Sequence, residues 1–539
     1  MRAHGQERYV VIGEGELSPE PEDAEDPASV EADAASATSS AGEPMSLARR
    51  AEVPFRFTRL GPRGRPLSEQ VHLKMAKAMI KGGGRPTSVP AGFTYLGQFI
   101  DHDLTFDRTE VTLGEAVSPA DLLQARSPSL DLDSLYGAGP LDPESEKFYA
   151  DERHLAMGRT NPVGPDPGKE GFDLPRGRGR SGRARQKAVI PDPRNDENLA
   201  VAQTHLAMIR FHNRVVDKLP ASVGPAARFE RARRQVTKHY QWMIRSDYLP
   251  RIVRKSVVDD VFTNGRKAFE VGVPATDVPT MPIEFSVAAF RLGHSMIRAT
   301  YSWNRRFSGQ DGSLGLLLTF SATGGDLGGD VRLPSNWICD FRRLYRFSDT
   351  GRTDLDPPEG HANLAMRLDT RLVNPLRNLP PGSFGGPVVP FNDPRANLAF
   401  RNLVRGGMVR LASGQQMAEF LRARGVAVTT LTRAQILQGK NGATLEDLTS
   451  AEKDALAERT PLWFYVLREA EHNGGKLDGV GARIVAETFH RAMEGSRTSI
   501  VRQPDWRPSL GPDPETFRMV DLLLFAFEGK KALLNPLGG

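Results

Sequence analysis

Apolar residues recur at helical spacing along most of this chain, and strand-like alternation is scarce. From Leu199 to Leu219 the stripe runs through Leu199, Leu206, Ile209 and Val216. Pro191-Asp192-Pro193 sets an extended entry, and Asn195 and Asp196 are candidate caps for the first exposed amides. A second helix is expected over 284–300, with Phe290, His294 and Ile297 on one stripe. Three more are expected at 460–471, 481–493 and 516–527. The 52 Gly and 40 Pro residues among 539 predict many turns, and hydrophobic residues, at 39%, suffice for a core. The expected fold is mainly α, a single large helical domain with long loops over 51–539.

The first 50 residues differ. They hold eleven acidic and four basic residues, a balance of −7, which leaves +12 on the remainder of a chain whose net charge is +5. From Gly15 to Pro44 there are almost no large apolar residues, so burial cannot offset chain entropy. A disordered acidic N-terminal arm is expected over 1–50, with order beginning near Val53-Pro54-Phe55. The tract Arg176 to Arg185 alternates Arg and Gly like some single-strand binders, but lacks interleaved aromatics. It reads as an exposed basic loop, and no nucleic-acid partner is expected.

A single cysteine, Cys339, excludes an intrachain disulfide framework. Cys339 reads as a buried residue at a strand or helix edge rather than a thiolate ligand. No apolar run is long enough for a membrane span, and the first residues lack the pattern of a secretory signal. A cytoplasmic protein is expected, or one exported without a cleaved signal, and a monomer.

The segment GQFIDHDLTFD, from Gly97 to Asp107, concentrates the chemistry. If helical, Gln98 and His102 share a face, and Asp101 and Asp103 flank the histidine. A histidine among carboxylates can be a general base, a metal ligand or a satisfied structural residue.

This segment resembles the distal-helix motif of the animal haem peroxidases. The likeness continues in order: SPSLDLDSLYG (127–137) is similar to the family's calcium loop, and DPRNDEN (192–198) with His212-Asn213-Arg214 to its distal-arginine segment. AFRLGH (289–294) resembles the proximal-histidine motif, and Arg401-Asn402-Leu-Val-Arg405-Gly the segment supporting it. The resemblance covers roughly residues 53–530.

It implies a haem b enzyme that reduces hydrogen peroxide through compound I and oxidises iodide, thiocyanate, bromide or phenolic and other aromatic donors. His102 would shuttle the peroxide proton, Arg194 would stabilise charge on the departing oxygen, and Gln98 would hold the distal water or a halide. His294 would ligate the haem iron, with Asn402 accepting its other N–H, and Arg291 and Arg405 would pair with propionates. Asp101 and Glu197 stand at the positions that form haem esters. Asn198 replaces the methionine of myeloperoxidase, so no sulfonium link is expected. Asp103, Ser127, Ser129, Asp131 and Asp133 would bind calcium. Histidines 205 and 212 are expected to serve packing.

Two other readings belong beside this one. A fatty-acid dioxygenase of the cyclooxygenase type would need a tyrosine three residues before the proximal histidine, where this chain has Arg291. A haem-fold adhesion or binding protein would need an appended module, and only the acidic arm is spare.

Overall fold

The computed structural model describes residues 9–11, 15–17, 55–81, 84–109, 111–379, 389–390 and 392–539. Of the expected disordered arm, Tyr9–Val11 and Gly15–Leu17 are described, as an antiparallel pair, and the rest lies outside the described residues.

Helices dominate, as the periodicity requires. Those that position the site are α1 (Glu69–Ile80), α2 (Gly92–Leu104), α3 (Leu199–Lys218), α4 (Pro225–Met243), α5 (Gly293–Met296), α6 (Leu398–Met408), α7 (Leu462–His472), α8 (Gly479–Glu494) and α9 (Met519–Ala526). Among the described residues strands occur only in two-stranded pairs, such as Pro86–Pro90 with Leu364–Met366. No helix among the described residues is long and apolar enough to cross a membrane.

Helix α2 is the axis of the fold. Eleven of its thirteen residues are buried, among them His102 and Asp103, with Gln98 and Asp101 partly exposed, so it is enclosed on nearly every side. Two glycines make that possible. A Cβ on Gly92 would lie 2.3 Å from the Tyr345 ring, and one on Gly97 would lie 2.3 Å from the Tyr248 hydroxyl. Helices α3 and α5 both pack against α2. The helices expected at 460–471, 481–493 and 516–527 form as α7, α8 and α9.

The helix expected over 284–300 does not form. The segment breaks into Ile283–Ser286, a 3-10 turn at Ala289–Leu292 and the short α5, with Ala288 off the helical region and Ile297 extended. Tertiary packing causes the break: Phe290 stacks on Phe285 with centroids 4.7 Å apart and meets Phe489 edge-on. The cap of α3 also differs from expectation. Asn198 accepts from the Val201 N–H, while Asn195 and Asp196 reach distant partners. Cys339 is buried between short 3-10 turns, and burial pushes its thiol well up, which disfavours a thiolate.

Candidate active site

The C-terminal half of α2 presents Gln98 and His102 toward the segment that precedes α3, with Asp101 near Arg194, and turns Asp103 toward residues 132–134. His102 is buried, and its Nδ1 lies 2.9 Å from Asn195 Oδ1. An amide oxygen can only accept, so Nδ1 carries the proton and Nε2 keeps its lone pair. Burial, then the Arg194 charge, lowers the His102 pKa to about 3, so the ring is neutral over the physiological range. The arrangement is that of a proton acceptor with a fixed tautomer.

Glu197 lies next to that lone pair. Its Oε2 is 3.8 Å from His102 Nε2 and accepts from Gln98 Nε2 at 3.2 Å. Burial lifts the Glu197 carboxyl to about 8, more than the Arg194 charge lowers it. Gln98 Oε1 in turn accepts from Asn198 Nδ2 at 2.9 Å. Gln98, His102 and Glu197 are thus brought together, while Asp101, whose carboxyl burial lifts to about 6, lies close enough to Arg194 and Arg405 to feel their charge.

Arg194 takes a different posture from a lone cation aimed at a reacting atom. Its Nη2 donates to the carbonyls of His102 (3.1 Å) and Thr105 (2.7 Å) at the end of α2, where helix carbonyls lack partners. Its Nε and Nη2 also grip Asp192 at 3.1 and 2.8 Å, and the guanidinium lies 4.1 Å from the Phe106 ring centre. Arg126 holds the same carboxylate at 2.5 Å. Burial alone would raise Asp192, but the two guanidiniums outweigh it and hold the carboxyl well below its usual range. Arg194 therefore fixes the end of the helix that carries His102.

Arg176 corrects the reading of the basic tract. It is largely buried, pairing with Asp173 at 2.7 Å and Asp196 at 2.5 Å. Arg178, Arg180, Arg183 and Arg185 are exposed as expected, but Arg183 and Arg185 sit on a short helix, Gly182–Gln186, rather than in a loop. His212 binds the Tyr136 hydroxyl and the Arg153 carbonyl, and His205 packs edge-on to Phe99, so both serve packing.

On α5, His294 Nδ1 lies 2.9 Å from Asn402 Nδ2 on α6. The expected pair forms, but the amide is turned the other way. Asn402 Oδ1 accepts from Arg291 Nη1 at 3.1 Å, and Nδ2 donates to the Leu398 carbonyl at 3.0 Å, so Nδ2 also faces the imidazole. In this posture Nδ1 is an acceptor and Nε2 carries the proton. Turning the amide over, with Arg291 released, would let Oδ1 accept the Nδ1 proton and free Nε2 for iron. Arg405 pairs with Asp107 at 3.6 Å, a partner the sequence did not suggest.

Two observations beside His294 suit a haem. The imidazole is only half-buried although Ser295 and Met296 after it are buried. A Cβ on Gly293 would meet nothing within 4 Å, which leaves open space against the backbone there.

The expected calcium ligands come to one buried region without encircling a point. Asp103 accepts from the Leu132 and Ser134 amides and the Ser134 hydroxyl. Asp131 accepts from the Arg497 amide, and Asp133 pairs with Arg233 at 3.3 Å. Ser127 and Ser129 are buried nearby in sequence. Among the described residues no three of His, Cys, Asp or Glu are placed to share a metal ion. The donor set, all hard oxygens with three buried carboxylates, suits calcium in chemistry, but its carboxylates are turned to the chain's own donors.

Residues 86–322 match the profile of the family described as animal haem peroxidase. Residues 86–322 of this chain are an animal haem peroxidase domain. This peroxidase domain contains the distal helix, Arg194 and His294, whereas Asn402 and Arg405 lie beyond the matched stretch. The chain is 22% identical over 178 residues to Heme peroxidase 2 of Caenorhabditis elegans, a match covering 31% of this chain and 23% of that protein. The chain thus spans about a quarter of the length of that curated relative.

Among solved structures, peroxidase A of Dictyostelium discoideum aligns with a TM-score of 0.55 at 15% identity, covering 90% of this chain and 94% of that one. The fatty acid alpha-dioxygenase of Oryza sativa aligns at 0.52 and 13%, covering 88% and 80%. That of Arabidopsis thaliana aligns at 0.53 and 13%, covering 84% and 77%. At these identities the likeness concerns the fold.

Proposed function

We propose that the chain reduces hydrogen peroxide and oxidises small donors, namely iodide, thiocyanate or bromide and phenolic or other aromatic molecules. One observation carries the reading: Asn195 fixes the tautomer of a neutral, buried His102 and leaves Nε2 as a base. Haem, when bound, supplies the redox chemistry that cleaves the O–O bond.

The chain's part is to hold and move protons. His102 Nε2 accepts a proton from one peroxide oxygen and returns it to the departing one. Arg194, through the end of α2, keeps that nitrogen in place. Gln98, tied to Glu197 and Asn198, orients the distal polar groups. His294 would hold the iron once the Asn402 amide has turned, and Gly293 leaves room for the macrocycle.

Two finer elements belong to the same proposal. Asp101 and Glu197 would form ester links to haem, with the peroxide co-substrate as the two-electron oxidant; desolvation, which lifts their carboxyls to about 6 and about 8, disfavours leaving them as free carboxylates. Calcium binds at Asp103, Ser127, Ser129, Asp131 and Asp133 once these donors turn from their present partners. The dioxygenase fold neighbours score no better than the peroxidase, and no observation at the site favours fatty-acid oxygenation.

The test is a donor panel with purified, haem-supplemented protein. Peroxide should drive oxidation of guaiacol and iodide, and His102→Ala should abolish it. Oxygen uptake with a polyunsaturated fatty acid in the absence of peroxide, with no guaiacol turnover, would overturn the proposal.

A further inference from the structure

A cleft of about 380 Å³ is lined by the end of α4, the helix Lys255–Asn264 and residues 500–515. Neither His102 nor His294 lines it. The chain makes a π-helical turn there, Ile244–Tyr248, which carries Arg245 and follows Trp242. Such turns are rare and occur frequently at functional sites. The floor is apolar and includes two flat rings: Trp242 is buried and Phe262 half-buried, with Val258 and Ile500 beside them.

Charge in the lining does not balance. Three cations, Arg245, Lys255 and Arg507, stand against two carboxylates, Asp259 and Glu515. Lys255 holds Asp259 at 2.7 Å and Arg507 holds Glu515 at 3.1 Å, both pairs on the exposed rim. Arg245 is left over. It is half-buried and has no hydrogen bond or ion pair among the described residues. Its guanidinium stands 5.9 Å from the Trp242 ring centre and 5.2 Å from that of Phe262, and Arg507 stands 5.5 Å from the same indole. Burial lowers the Arg245 pKa and the Arg507 charge adds to that, so an anion beside Arg245 would offset both costs.

We propose that this cleft binds an aromatic carboxylate of one or two rings, its carboxylate on Arg245 and its ring on the floor of Trp242, Phe262, Val258 and Ile500. A guanidinium held over aromatic rings engages them through its face, which leaves its N–H edge to grip a carboxylate with two parallel hydrogen bonds. A rigid ring fills the apolar floor without the rotamer entropy that a flexible chain would lose. The site stands independently of the haem reading.

Isothermal titration of naphthoate into the full-length protein, with and without haem, tests the site. A single molecule should bind per chain, and naphthylmethanol, the same rings without the charge, should bind roughly tenfold more weakly. Arg245→Met should lose a similar factor and Arg245→Lys should recover part of it. Lys255→Met, on the exposed rim, should change the affinity by less than about twofold. Equal affinity for the acid and the alcohol, or equal losses in Arg245→Met and Lys255→Met, would overturn the role of Arg245. Decanoate binding more tightly than naphthoate would overturn the aromatic class. Absence of saturable binding, or binding only in haem-loaded protein with a shift of the Soret band, would overturn the cleft as the site.

Discussion

Removing the acceptor on which the His102 tautomer depends should separate rate from stability. In Asn195→Ala, His102 Nδ1–H loses its partner at 2.9 Å in a buried site. A buried donor left unsatisfied costs about 1–3 kcal/mol. The ring can avoid that cost by moving its proton to Nε2, next to Glu197 Oε2 at 3.8 Å, which removes the base. The penalty therefore falls on the competent tautomer, and about 1–3 kcal/mol corresponds to roughly 5- to 150-fold in rate. Stability should change less, because Asn195 Nδ2 is itself buried without a partner, and its removal offsets part of the lost bond. The assay is stopped-flow mixing of haem-loaded protein with peroxide, followed at the Soret band, alongside chemical denaturation. Asn195→Asp, which keeps an acceptor oxygen, should recover much of the rate. A rate within twofold of wild type in Asn195→Ala, while His102→Ala loses it, would refute the argument.

Asp192→Asn should destabilise by about 3–5 kcal/mol, because it strips the shared counter-charge from two buried guanidiniums; urea unfolding measures it. The folded Asp192 carboxyl sits below its unfolded value, so its stabilisation is complete above the unfolded pKa near 4. It is lost only as pH falls through the folded value, and the wild-type advantage over Asp192→Asn should be flat from pH 5 to 7. Acidified organic solvent should leave haem on the wild-type protein, and the double variant Asp101→Asn, Glu197→Gln should release it freely. Calcium at 100 times its dissociation constant should add about 2.7 kcal/mol to unfolding, and Asp103→Asn should remove that increment.

The distal side was legible because it is local. Gln98, Asp101, His102 and Asp103 lie within one turn and a half of a single helix, so their spacing already places them together. Arg194, Glu197 and Asn198 fall in a second short run that the family motif marks. What escaped were partners brought in by tertiary contact. Asn195 looked like a helix cap, yet it meets His102, 93 residues away in sequence. Arg176 looked like one more arginine of an exposed tract, and only the position of Asp196 reveals it as buried. The break between 284 and 300 was equally hidden, since the stacking of Phe290 on Phe285 overrides a helical stripe. The direction of the Asn402 amide depends on Arg291 and Leu398 together, which no spacing rule encodes.

Titrating haem into protein prepared without it tests the central claim most directly. One haem per chain should bind with a Soret band in the wild type and in His102→Ala, and His294→Ala should lose that ligation. A chain that takes up no haem, or a His294→Ala variant whose Soret spectrum and affinity match the wild type, would contradict the account.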